Sequence, residues 1–90
     1  MLYMVIERFK TPGAIEVYRR DRDGGRLMPE GLEYVLSWVD HDFTICFQLM
    51  QTDDETLFEL WIRQWQDLVD FEIVPVQTSA EAMEAIAPHL

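Results

Sequence analysis

The segment that decides the fold is residues 32–51, LEYVLSWVDHDFTICFQLMQ. Two runs rich in β-branched, aromatic and long apolar residues, Leu32 to Asp40 and Thr44 to Gln51, flank the link His41-Asp42-Phe43. Runs of this composition read as strands, and a link this short makes them pair as an antiparallel hairpin. The link carries no Asn-Gly pair to set the register. A slip of one residue would exchange the faces of every side chain on the first run.

On the N-terminal side, Leu2 to Phe9 is a third apolar run of strand formers, closed by Lys10-Thr11-Pro12-Gly13. Thr11 followed by Pro12 is a helix start, because a hydroxyl caps free N–H groups and Pro lacks the N–H that the first helical position would waste. The expected buried stripe of this helix is Ile15, Tyr18 and Ala14, and Asp23-Gly24-Gly25 should end it. Arg26 to Gly31 reads as a loop, with Pro29-Glu30-Gly31 as its turn.

On the C-terminal side, Thr52-Asp53-Asp54-Glu55 has the pattern of a capping box and predicts a helix to about Gln66. Leu57, Trp61, Trp65 and Leu68, joined by Phe58 and Ile62, give it a wide buried face, and Glu59 and Arg63 form an i,i+4 pair. Val69 to Gln77 is the fourth strand. Pro75 lies inside it, and Pro cannot donate to a ladder, so this strand belongs at an edge or is bulged there. Thr78-Ser79-Ala80-Glu81 is a second capping box. It opens a short helix with Ala82, Met83 and Ile86 inward, stopped by Pro88.

The element order is therefore β-α-β-β-α-β-α over a single domain, residues 1–90. It predicts an α+β, ferredoxin-like fold with helices on one face of a four-stranded antiparallel sheet, in the order 4-1-3-2. That order puts the fourth strand at an edge, as Pro75 requires independently.

An antiparallel sheet with one wet face alternates apolar and polar residues. These strands do not. The first offers Leu2, Met4 and Ile6 on one side and Tyr3, Val5 and Phe9 on the other; the third offers Ile45, Phe47 and Leu49 against Cys46 and Met50. A patch of that size on the helix-free face needs a cover. The cover expected is a second copy of the chain, which makes a two-fold homodimer with a cavity between facing sheets. The alternative cover is the third helix folding back.

Charge narrows the partners. The chain carries a formal net charge of −10, which disfavours nucleic acid and anionic membrane through long-range repulsion. Residues 1–26 hold six basic against four acidic side chains, whereas the remaining 64 hold Arg63 against 13 acids. Cys46 is alone, so no intrachain disulfide forms. The apolar start, Met1 to Ile6, is too short for a signal peptide, and no stretch approaches the ~20 apolar residues of a membrane span. A cytoplasmic protein is expected.

The runs LYMVIERF (2–9), MPEGLEYVLSWVD (28–40), CFQLMQTDDETLFELWIRQWQDLVDFEIVPV (46–76) and TSAEA (78–82) resemble a bacterial family, domain of unknown function 3303, over nearly the whole chain. The most specific part is the FQLM-x-TDD-x-x-LF-x-x-W block followed by W-x-DLVDFE-x-VPV. The resemblance implies a dimeric α+β barrel and no catalytic residues. Related barrels include cofactor-free monooxygenases, isomerases, dechlorinating enzymes and stress-response binding domains, so fold is a poor guide to function.

Among candidate site residues, Glu7 is the most informative. It shares a side of its strand with Tyr3, Val5 and Phe9, the side assigned to the inter-sheet cavity. A carboxylate there would have a raised pKa and could act as base or hold a ligand. The plainer alternative is that it reaches solvent or pairs with an arginine. Gln48, beside Cys46 and Met50, could bond Glu7 structurally or help orient a ligand. Tyr34 and Trp38 are expected on one face of their strand and Ser37 on the other; they suit a pocket or a core.

His41 sits in a turn and His89 at the terminus, without a zinc spacing, so no metal is expected. Cys46 has no activating neighbour in sequence and reads as inert. No phosphate-binding glycine loop or nucleophile elbow is present, so no cofactor is expected. Three functions stay open: a dimeric binding or regulatory module with a pocket for a small apolar ligand, a cofactor-free enzyme of isomerase or monooxygenase type, and a purely structural dimerisation module.

Overall fold

A computed structural model describes residues 1–10 and 14–90. The helix start expected at Thr11 and Pro12 lies outside the described residues. The elements run β1 (Leu2–Phe9), α1 (Ala14–Gly24), β2 (Glu33–Val39), β3 (Ile45–Gln51), α2 (Leu57–Arg63), β4 (Val69–Val76) and α3 (Ser79–Ile86), closed by a 3-10 turn at Ala87–His89. The strands form one antiparallel sheet in the order β2-β3-β1-β4. This is the ferredoxin-like arrangement expected, and Pro75 does lie on an edge strand. Pro75 faces Tyr3 across the β1–β4 ladder.

The two faces of the sheet are occupied opposite to expectation. Tyr3, Val5 and Glu7 on β1, and Gln48 and Met50 on β3, are buried, while the alternate residues Leu2, Met4 and Ile6 are only half-buried. The buried set lies under α2. Tyr3 meets Phe58 edge-on at 5.0 Å, and Tyr3, Val5, Leu32, Met50, Phe58, Trp61 and Trp65 form the core. Glu7, Gln48 and Cys46 therefore face the helices, not the open side. Strand parity could not decide between two apolar faces; the large rings of α2 do, because they need a floor of Tyr3, Val5 and Met50 to close over.

A β-bulge corrects the expected faces of β2. Tyr34 pairs with Met50 and Leu36 with Leu49, so Val35 is extra and the alternation flips. Tyr34 and Ser37 then share the helix side, and Trp38, opposite Phe47, stands on the open side.

The helices also differ in detail. α1 half-buries Val17 against the core, but Ile15 and Tyr18 are exposed, against the stripe expected. Gly25, at φ 72°, closes this helix by an N–H bond to the Asp21 carbonyl of 2.7 Å. The capping box at Thr52 does not form: the Thr52 hydroxyl accepts from the Asp54 N–H at 3.1 Å, and α2 begins later, at Leu57. α2 is also shorter than expected, ending in single turns from Gln64 to Leu68. Glu59 and Arg63 form no ion pair among the described residues. The box at Thr78 and Glu81 is complete. Yet Met83 and Ile86, expected inward, are exposed, because α3 leaves the sheet instead of folding over it. No described helix is long and apolar enough to cross a membrane.

Candidate functional site

A cleft of about 100 Å³ opens between the helix side of the sheet and the two helices α1 and α2. Its floor is Glu7, Cys46 and Gln48; Trp61 and Trp65 form one wall and Tyr18 the other. Pairing puts Glu7 directly opposite Cys46 and brings Gln48 against Val5, two residues along the ladder.

The polar groups form one chain. Gln48 Nε2 donates to Glu7 Oε2 at 2.7 Å, and Arg26 Nε donates to Gln48 Oε1 at 3.0 Å. The amide stands between a carboxylate and a guanidinium, and their opposite polarity fixes which way it points. Glu7 is 7% and Gln48 4% exposed, so two hydrogen-bonding side chains sit where apolar residues usually do. Arg26 is clamped further. Its guanidinium lies 3.7 Å from the centroid of the Tyr34 ring, a close cation–π contact. The Tyr34 hydroxyl shares a 2.8 Å hydrogen bond with Ser37 Oγ. Trp61 Nε1 and Trp65 Nε1 both donate to the Arg26 carbonyl at 2.9 Å. The two Nη groups of Arg26 make no hydrogen bond among the described residues.

Burial pushes the Glu7 carboxyl above the usual carboxylate range, against the opposing pull of Gln48, Cys46 and the Arg26 charge. The Cys46 thiol is pushed up to about 12, by burial first and then by the Glu7 charge. It stays protonated at neutral pH and is not a nucleophile there.

The seven candidates thus separate. Glu7, Gln48 and Cys46 line the cleft, and Tyr34 supports it through Arg26. Tyr3 and Met50 are packed in the core beside it. Trp38 is on the other face, 50% exposed. Sequence reasoning missed Arg26, Trp61 and Trp65 as parts of the site. Arg26 read as one of six basic residues near the N-terminus, and nothing in its loop signals that it faces β3. Among the described residues, no three His, Cys, Asp or Glu side chains converge as a metal site.

One family model matches the chain, over residues 1–90, and its description is Domain of unknown function (DUF3303). No curated protein and no solved structure matches.

Proposed function

The chain belongs to the DUF3303 family, and with no activity in that family's description we propose, from the cleft, that the protein is a homodimeric small-molecule-binding module. The observation that carries this reading is the buried Glu7–Gln48–Arg26 chain at the floor of the cleft. A volume of about 100 Å³ is below the ~150 Å³ that takes benzene, and has room for roughly three waters. The occupant is therefore a molecule of few heavy atoms, apolar against Trp61 and Trp65, with one donor group for Glu7. Turnover through Cys46 is disfavoured, because burial keeps its thiol protonated.

The homodimer supplies the cover for the open face, where Leu36, Trp38 and Phe47 are exposed beside half-buried Met4, Ile6 and Leu49. An isologous pair of such faces is the commonest way for a soluble chain to remove them from water.

Titration with a set of small donors, such as short amides and alcohols, tests the cleft by NMR. The Trp61 and Trp65 indole N–H signals should move with at least one probe, and Glu7→Gln should weaken that probe at least tenfold. Indole signals that ignore every probe, or a Glu7→Gln variant with full affinity, would return the Glu7 chain to a purely structural role.

A further inference from the structure

The last helix has no seat in its own chain. α3 is well started: the Thr78 hydroxyl accepts from the Glu81 N–H at 3.1 Å and the Glu81 carboxylate accepts from the Thr78 N–H. None of its residues is buried, with Met83 60% and Ile86 53% exposed. An eight-residue helix is marginal in water without a surface to pack on. Ala82, Met83 and Ile86 recur on one side of α3, Glu81 and Glu84 face away from it, and Leu90 follows beyond the 3-10 turn. The molecule is correspondingly drawn out, 48 × 30 × 17 Å, with a radius of gyration of 14.9 Å, where about 12 Å is usual for a compact chain of this length.

The same chain carries a second unmet apolar surface, the open face. That face is not evenly exposed: β1 at its centre is half-buried, and Leu36 and Trp38 on edge strand β2 stand out furthest. α3 departs from β4, the opposite edge. The face alone is small for a dimer. Four strands of about seven residues project onto roughly 400 Å², and Asp70 and Glu72 on β4 take part of it, which leaves an apolar patch small beside the ~800 Å² of accessible surface that each partner gives to a standard interface. An arm that crosses to the other copy adds its own apolar side and the surface it lands on, twice over by symmetry.

Resting on the homodimer proposed above, we infer that α3 is an exchanged arm: each copy lays Met83, Ile86 and Leu90 on the other copy's Leu36 and Trp38. Each chain is then both donor and acceptor, and two copies satisfy both surfaces.

Isotope-filtered NMR on a dimer mixed from 13C-labelled and unlabelled chains reads the contact directly. The methyl groups of Met83 and Ile86 on labelled chains should show cross-peaks to Trp38 indole protons on unlabelled ones. A parallel variant, Met83→Glu with Ile86→Glu, should weaken dimerisation at least tenfold while the Trp61 and Trp65 indole signals stay in place. Cross-peaks confined to one chain, or a dimer of unchanged affinity in the variant, overturn the exchanged arm and leave the homodimer standing. A wild-type monomer by light scattering at millimolar concentration overturns both.

Discussion

On the helix side of the sheet Tyr3, Val5 and Met50 are sealed beneath Phe58 and Trp61, whereas on the other side Leu36, Trp38 and Phe47 meet the solvent. The polar residues do not follow the usual division. Glu7 and Gln48 are on the sealed side, and the open side is apolar through the middle of β1, β2 and β3, with Asp70 and Glu72 breaking it on β4. Hydrophobicity alone therefore does not say which face a chain buries for itself. The sealed face keeps its polar groups because they satisfy one another; the open face holds apolar residues that no described element of this chain covers.

The largest expected effect falls on the sealed side. Trp61 is 1% exposed, and Trp61→Ala should cost about 3–5 kcal/mol in urea unfolding, as buried aromatic truncations do. A loss below about 1 kcal/mol would erase the distinction between the faces. Next comes the open side. Phe47→Glu puts a charge into the centre of the face, and should raise the dimer dissociation constant about a hundredfold, roughly 2.7 kcal/mol, with the helical signal in circular dichroism unchanged. Light scattering would then give the 10.7 kDa monomer where the wild type gives twice that mass. An equal mass for both proteins would strip the open face of its role.

A smaller, sealed-side effect is a slope in pH. Because burial raises the Glu7 pKa, the folded chain holds this proton more tightly than the unfolded one. Its contribution is complete below the ordinary carboxylate range and is lost as pH rises through Glu7's folded value. Asp40 and Asp67, both lowered by their hydrogen bonds, slope the other way, so the comparison is wild type against Glu7→Gln. The stability difference should move in favour of the variant as pH rises from 4 to 8; parallel curves would mean that Glu7 is not desolvated. The smallest effect is at the rim. Arg20 and Asp67 form a two-pronged, mostly exposed pair with bonds of 2.8 and 2.7 Å, and Arg20→Ala should cost no more than about 1 kcal/mol. A larger loss would make this rim contact part of the core.

Much of the fold was legible because single residues carried it. Pro75 put β4 at an edge, and Thr78 with Glu81 marked the start of α3. The site was half legible. A bond between Glu7 and Gln48 was one of two readings of the pair, and they do meet, at 2.7 Å. Their face was misread, because a strand apolar on both sides has no parity signal. The bulge at Val35 then separated Tyr34 from Trp38, and no residue there announces it. Thr52 shows the limit of local patterns: its hydroxyl could serve a helix or a turn, and the position of Phe58 over Tyr3 selects the turn.

The shared carbonyl of Arg26 has a mechanical consequence. With two indoles hung from one oxygen, the loop and α2 behave as a fixed jaw, since parting them breaks both bonds at once. α1 is held more lightly: no residue of it is fully buried, and Arg20 ties it at the surface to Asp67 and to the Gln64 carbonyl. Added salt, which loosens exposed ion pairs, should therefore quicken amide exchange along α1 while leaving α2 slow.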